Sequence, residues 1–316
     1  MRVIELFAGI GGFRLGLERA GHEIVFTNEW LEKPARIYEK QFGDKPNRQD
    51  IRELTADDIP NADLIVGGFP CATFSIAGKR TGLSLEDTRG TLFYEMFRLA
   101  RDKRIPYILF ENVKGLLNHD RGKTFEVILK VLDEMGYDAQ WELLDSQNFG
   151  VPQHRERIFL VGNLRGKPRP KVFPISQSVA KNEEEDRRKP KKRKGVQTDI
   201  SPTLDAHYSK GGASRPYVAQ WRRGHFRDYK SDGSPTLTAN MGTGGHNVPF
   251  MRIPQKKVRK FTPLECERLQ GLPDNFTKYY EDGSLVSDSE RYERCGRTVT
   301  IPVIEAIGKK LHESYE

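Results

Sequence analysis

From Val3 to Gly162 short apolar runs alternate with segments of helical period, the pattern of a doubly wound α/β sheet covered by helices on both faces. Strands are predicted near VIELF, EIVFTNE, ADLIVGGF, YILFENV and RIFLVG. Phe13, Leu17 and Ala20 share one face of a helix that Gly21 can end, and Phe125, Ile128, Leu129 and Leu132 share a face of another ending near Gly136. These faces serve packing. After Arg165 the chain becomes rich in Pro, Lys and Gly, with few helical periods until about Gln255, which predicts an irregular, strand-poor second domain whose function sits on loops. Helical order returns at Thr262, where Thr262 and Glu265 fit a capping box, Pro263 the first helical position, and Gly271 with Pro273 a stop. The final TVTIPVIEAIGKKLHES predicts a short strand or turn and then an amphipathic helix docked on the first domain. The expected division is 1–165 with about 279–316 for one domain, and about 166–278 for the other.

Composition narrows the partners more than the fold. The 316 residues, 36% of them hydrophobic, suffice for a core domain carrying a smaller one. No stretch approaches the roughly 18 apolar residues of a membrane span, and the chain enters a strand pattern at Val3 without a signal-peptide layout, so a cytoplasmic site of action is expected. Cys71, Cys266 and Cys295 are too scattered for a disulfide framework or a zinc site, and no metal is expected. A net charge of +8 favours a polyanion such as nucleic acid. The run KNEEEDRRKPKKRKG (Lys181 to Gly195) reads either as a solvated loop or as a phosphate-tracking or nuclear-localisation patch. SPTLDAHYSKGG (Ser201 to Gly212) recurs as SPTLTANMGTGG (Ser234 to Gly245), either a repeated turn or two equivalent backbone arms suited to phosphate contacts.

The candidate chemistry lies at strand ends. FAGIGG (Phe7 to Gly12) follows the first strand and opens a helix, where a nucleoside cofactor meets backbone amides and glycine permits close approach. Its spacing suits the pyrophosphate of NAD poorly and leaves room for a cofactor with an amino-acid tail. Glu29 ends the second strand, the place from which a carboxylate accepts from ribose hydroxyls. Asp50 with Ile51 offers an acceptor and an apolar wall to adenine, or simply starts a helix. The third strand runs out into GGFPCATFS, placing Cys71 at the ligand-binding edge of the sheet, where a favoured thiolate would be a competent nucleophile. Glu111 reaches the same edge from the fourth strand, as a proton donor if buried and otherwise as a surface carboxylate. Gln153, Arg155 and Arg157 precede and start the next strand, and the two arginines share a face by period two.

In order, FAGIGG, NEW, DI, GGFPCATFS, DTRGTLFYEMFRL, ENV, QNFGVPQHRER, the basic variable stretch and RKFTPLECERLQGLPDNF resemble the motif series of the DNA cytosine-5 methyltransferases over nearly the whole chain. The resemblance implies a Rossmann-like methyltransferase domain with a smaller target-recognition domain. It also implies S-adenosylmethionine (AdoMet) as donor, double-stranded DNA as substrate and extrusion of the target cytosine. Catalytic roles fall to Cys71 on carbon-6, Glu111 at ring nitrogen-3, Arg157 at the exocyclic oxygen and Arg155 in support of the loop. Phe7, Gly9, Gly11, Gly12, Glu29, Trp30, Asp50, Ile51, Pro70, Leu92, Arg297 and Val299 match cofactor positions, and Ser75, Gln153, Thr236 and Thr238 match DNA-contacting ones. The segment Ala72 to Arg89 resembles the mobile catalytic loop.

Two departures stand out: Ala72 replaces the usual Gln after the motif Cys, and Gly296-Arg297-Thr298-Val299 carries Arg where the family has Asn. Arg297 can turn to solvent, weaken binding of a cationic sulfonium, or pair with a carboxylated donor such as carboxy-S-adenosylmethionine. A monomeric prokaryotic enzyme is expected, with a companion restriction endonuclease acting on the same site. An RNA cytosine-5 methyltransferase and a catalytically silent DNA-binding protein are the alternatives.

Overall fold

The structure is a computed structural model that describes residues 1–69, 88–175, 217–222, 225–228, 234–239, 241, 249–252 and 258–313. Pro70, Cys71, Ser75, the charged run 181–195 and the first repeat arm 201–212 lie outside the described residues.

In chain order the first part runs β1 (Arg2–Leu6), α1 (Gly12–Arg19), β2 (Glu23–Asn28), α2 (Glu32–Phe42), β3 (Leu64–Gly67), α3 (Thr88–Asp102), β4 (Tyr107–Val113), α4 (Lys123–Glu134), β5 (Tyr137–Asp145), β6 (Gln153–His154) and β7 (Glu156–Leu164). Six of these strands form one sheet in the order β2-β1-β3-β4-β7-β5. The first four are parallel, and β7 runs antiparallel to both of its neighbours. The strand β5 escaped the sequence pattern. It is an edge strand of mostly half-buried residues, so YDAQWELLD has neither the continuous apolar run of a central strand nor a clean alternation.

Helices cover both faces, as the doubly wound pattern requires. On one, Phe93 and Phe97 of α3 and Phe125, Ile128 and Leu132 of α4 pack on Ile4, Ile65 and Phe110 of the sheet. On the other, Phe13 and Leu17 of α1 meet Val303, Ile304 and Ile307 of the closing helix over Val3, Val66 and Leu109. The expected helix ends at Gly21 and Gly136 hold, both residues having positive φ just after their helices.

The later part contains β8 (Tyr217–Arg222), β9 (His225–Asp228), β10 (Ser234–Pro235), β11 (Phe250–Arg252), β12 (Val258–Lys260), α5 (Pro263–Leu269), α6 (Asp288–Arg297) and α7 (Ile301–Glu313). The expected strand-poor region therefore holds an antiparallel sheet, β12-β11-β8-β9. Three- to six-residue strands rich in Arg give too short a period to read in advance. The capping box at Thr262 and Glu265 is present with Pro263 in the first helical position. Phe261, Leu269, Leu272 and Phe276 share a core with Ile10 and Ile37, so this stretch packs on the glycine turn and α2 of the first domain. Cys266 and Cys295 are buried free thiols in the same core. No helix among the described residues is long and apolar enough to cross a membrane.

Candidate active site

The connection from β1 leads to β2 on one side of the sheet, and that from β3 leads to β4 on the other. Between their carboxyl ends lies the crevice in which open α/β sheets receive ligands. A cavity of about 1060 Å³ opens there. Phe7 (φ 53°) and Gly9 (φ 58°) turn the chain sharply after β1, and Gly11 N–H donates to Ala8 O at 2.8 Å. A Cβ on Gly9 would meet open space, whereas one on Gly12 would lie 2.4 Å from Thr298 Oγ1, and one on Gly11 2.3 Å from the Phe42 ring. This adds a packing reason to the sequence reading of the motif. Gly11 and Gly12 are demanded by the close approach of α2 and the C-terminal segment, and Gly12 also lines the cavity.

Glu29 is only 7% exposed at the end of β2. Its Oε2 accepts from Gly9 N–H at 2.7 Å and its Oε1 from Leu31 N–H at 2.8 Å, so the carboxyl group staples the glycine turn to the start of α2. Burial raises its proton affinity above the usual carboxylate range, opposed by those two amides and by the charges of Arg294 and Arg48. Each carboxylate oxygen keeps a second lone pair, enough to accept from two vicinal hydroxyls. Trp30 stands beside it on the cavity wall with 52% of its surface exposed. Ile51, Leu92 and Val299 supply apolar lining, as the resemblance implies. Asp50 also lines the cavity, but its carboxylate already holds Arg52 through Nε at 2.9 and 3.0 Å and through the Arg52 amide at 3.0 Å.

At the other end of the cavity, Glu111 of β4 and Arg157 of β7 form an ion pair, Nε to Oε1 3.0 Å. The end of β3 packs on this pair: a Cβ on Gly68 would sit 3.2 Å from Glu111 Oε2, and Asn112 Nδ2 donates to Phe69 O at 3.4 Å. Cys71 follows two residues later in the sequence.

Two expected DNA contacts turn inward instead. Gln153, expected on DNA, is 0% exposed; its Nε2 donates to Leu269 O at 2.9 Å and its Oε1 accepts from Leu237 N–H at 2.9 Å. Thr236, also expected on DNA, donates to His154 O at 2.7 Å. Thr238 alone of the TLT triplet's two threonines is exposed, on the cavity rim. Arg155, expected to support the loop among the catalytic groups, lines the cavity but is 2% exposed and works as a clamp: Nη1 donates to Leu237 O at 2.7 Å, and Nη2 to Gly296 O at 3.1 Å and Thr298 O at 2.8 Å. Burial, then the charge of Arg157, lowers its proton affinity to about 9, with Glu111 opposing, so it stays cationic at neutral pH. Through Gln270, whose Nε2 donates to Cys295 O at 2.6 Å and whose Oε1 receives Thr300 Oγ1 at 2.9 Å, the same polar core reaches α6 and α7. The segment of Gln153 and Arg155, the TLT arm and the ends of α6 and α7 thus share one set of buried hydrogen bonds.

The planar fork is what spans two segments at once, and a lysine ammonium cannot reproduce it. Arg155→Lys is therefore expected to cost about 3 kcal/mol of stability by leaving buried carbonyls unmet. It should also weaken both cofactor and DNA binding. An unchanged urea midpoint would show that those carbonyls need no guanidinium.

Two residues at the site were not singled out in advance. Arg294 is nearly buried on the cavity wall; its Nη2 donates to Glu290 Oε1 at 3.1 Å, and Glu290 also holds Tyr280 OH at 2.9 Å and Lys33 at 3.0 Å. Its position three residues before Arg297 on one helix was the available signal. Asn112, beside Glu111, secures the end of β3. Arg297 lines the cavity but is half exposed and pairs with Glu293 one turn earlier at 2.7 Å, which meets its charge within the protein.

A family model described as C-5 cytosine-specific DNA methylase matches residues 1–313. The chain is 36% identical to the Type II methyltransferase M.Bsp6I of Bacillus sp. (strain RFL6), with 99% of each protein covered. It is 34% identical to the Type II methyltransferase M.HhaI of Haemophilus parahaemolyticus, covering 99% of this chain and 95% of that one. Among solved structures, the Dnmt2 methyltransferase of S. pombe superposes with a TM-score of 0.70 over 100% of this chain and 99% of that one, at 22% identity, a likeness of fold. With the glycine turn, Glu29 and the Glu111–Arg157 pair ranged along one crevice, and this match running almost end to end, the chain belongs to the C-5 cytosine-specific DNA methylase family.

Proposed function

We propose that this enzyme methylates carbon-5 of a cytosine within one short recurrent sequence of double-stranded DNA, through a transient bond between Cys71 and the base. The observation that carries the reading is the Glu111–Arg157 pair, held at the far end of the same cavity whose near end offers the Glu29 carboxyl and the Trp30 ring. A nucleoside fits the near end by its chemistry, a buried diol acceptor beside an exposed aromatic face, and the cavity has room for it together with a flipped base. When bound, AdoMet supplies an electrophilic methyl group. Glu29 and Trp30 hold its nucleoside, and Phe7 and Val299 wall off water.

The protein's own groups then activate the base. The Cys71 thiolate adds to carbon-6 while Glu111, protonated from solvent as the entering base parts it from Arg157, gives that proton to nitrogen-3, so that the electron pair of the 5,6 double bond becomes available at carbon-5. Arg157 orients Glu111 and donates to the exocyclic oxygen. After methyl transfer the carbon-5 proton leaves to water, the double bond reforms, the thiolate departs and nitrogen-3 returns its proton to Glu111. Arg155 and Gln153 position this machinery, and the domain of about 166–278, with Thr238 and Ser75, contacts DNA. Arg297 is satisfied by Glu293, so the donor is AdoMet itself; a carboxylated analogue has no unpaired cation at that residue to meet.

The chain acts as a monomer in the cytoplasm, protecting host DNA against a companion endonuclease of the same site specificity. Bisulfite sequencing of the expression plasmid tests the reading. Protected cytosines should fall in one recurrent motif, and parallel assays on transfer RNA should show no incorporation. Absence of any protected cytosine, or incorporation into RNA alone, would remove it.

A further inference from the structure

One carboxyl group of the first domain takes no part in this chemistry yet is wholly enclosed: Glu5, within β1, is 0% exposed. Helix α1 starts directly after the glycine turn, with Gly11 as its N-cap; no side chain caps it and no acidic residue lies in its first turn. Such a helix leaves its first amides without acceptors. Glu5 supplies one from the neighbouring strand, its Oε1 accepting from Arg14 N–H at 3.1 Å. Its Oε2 accepts from the Tyr38 hydroxyl of α2 at 3.1 Å, and that hydroxyl is 2.7 Å from Thr27 Oγ1, two residues before Glu29. Arg14 closes the group by donating to Tyr38 OH at 3.2 Å, Asp44 at 2.6 Å and Glu18 at 2.7 Å.

We propose that Glu5 is a positioning residue for the cofactor: standing in for the missing cap of α1 and tied through Tyr38 to Thr27, it fixes the glycine turn relative to Glu29 and Trp30. The proposal rests on the AdoMet reading above. The bond that spans the two turns, Gly9 N–H to Glu29 Oε2 at 2.7 Å, keeps its length only while α1 and α2 hold their spacing.

Burial holds the Glu5 proton up to about pH 8, opposed by the Arg14 amide, the Tyr38 hydroxyl and the Arg14 charge, with Glu18 adding to the effect of burial. The groups that face it are thus Arg14 and Glu18 from α1 and Tyr38 from α2, with Asp44 behind Arg14. Between the ordinary glutamate value of 4.5 and about 8 the folded chain carries one more proton than the unfolded one, so the stability contribution of this group falls as pH rises through that window. Loss of that proton near pH 8 leaves an ionised carboxyl buried between β1, α1 and α2, so the hold on the glycine turn, and with it AdoMet affinity, weakens as pH passes 8.

The test uses Glu5→Leu, Glu5→Gln and Tyr38→Phe, each checked for folding by circular dichroism, with AdoMet titrated calorimetrically near pH 7 and near pH 9 and DNA binding measured without cofactor. Glu5→Leu, which removes both hydrogen bonds, is expected to raise the AdoMet Kd at least about tenfold with DNA affinity unaltered. Glu5→Gln keeps an acceptor for Arg14 and a polar partner for Tyr38, so it should stay within about threefold near pH 7. The unaltered protein should lose affinity relative to Glu5→Gln near pH 9. Should Glu5→Leu fail to fold, Tyr38→Phe with a raised Kd and the pH-dependent ratio carry the test. A folded Glu5→Leu with unchanged Kd overturns the proposal, as does an unchanged Tyr38→Phe with a ratio independent of pH. Failure of the unaltered protein to bind AdoMet would instead overturn the cofactor assignment, and this proposal with it.

Discussion

Cys71→Ala is expected to lower methyl transfer by at least about 10⁴-fold, because no other group in the proposed sequence can form the bond to carbon-6 that makes carbon-5 nucleophilic. DNA affinity should stay within a few-fold, since phosphate contacts and the recognition segment supply most of it. The discriminating measurement is a denaturing gel of enzyme mixed with AdoMet and DNA containing 5-fluorocytosine. The unaltered protein should travel as a stable adduct, since fluorine at carbon-5 blocks the final proton loss, and Cys71→Ala should travel free. An adduct formed by the alanine variant would place the nucleophile elsewhere. Cys266 and Cys295 are poor substitutes: burial raises both thiols well above their usual range, and they sit in an apolar core.

Glu111→Gln should reduce turnover by about 10²- to 10⁴-fold while leaving the KM for AdoMet nearly unchanged. The amide keeps the shape and a donor toward nitrogen-3 but cannot release a proton to it, and it removes the charge that holds Arg157 at 3.0 Å. The loss therefore belongs to kcat and to base positioning, not to the cofactor end of the cavity, where Glu29 and Trp30 are untouched. Single-turnover assays at saturating AdoMet separate the two. A variant within about threefold of the unaltered rate would mean that nitrogen-3 is protonated by another group, and the pair would then serve only to hold the sheet edge together.

These two residues also mark how far the sequence could be read. Glu111 and Arg157 were assigned from short motifs, and the sheet does bring them together, because β4 and β7 pair antiparallel with their ends in register at one edge. Glu29 was placed by its position at the end of β2, and its two amide contacts follow from the turn that β1 makes toward it. Such features are legible because strand period, strand order and the glycine turn are local properties of the chain.

Gln153, Thr236 and Arg155 lie in the same motifs yet face the interior. Nothing within their own segments distinguishes an arginine that greets a ligand from one that clamps carbonyls, since the three oxygens that bind Arg155 come from residues 82 to 143 positions away. The short sheet of β8, β9, β11 and β12 was missed for a related reason, as its strands draw their stability from pairing with each other. Glu5 carried no signal at all: only when α1 and α2 are laid over β1 does a carboxyl in an apolar strand acquire its partners.

By itself, then, the sequence determined the α/β sheet, its helical cover and the family motifs, and named the residues proposed to carry the reaction, because periodicity and residue chemistry are written along the chain. Tertiary structure alone decided which polar groups face the crevice and which bind the protein to itself, because a buried donor or acceptor takes whichever partner the fold brings within about 3 Å, however distant in sequence.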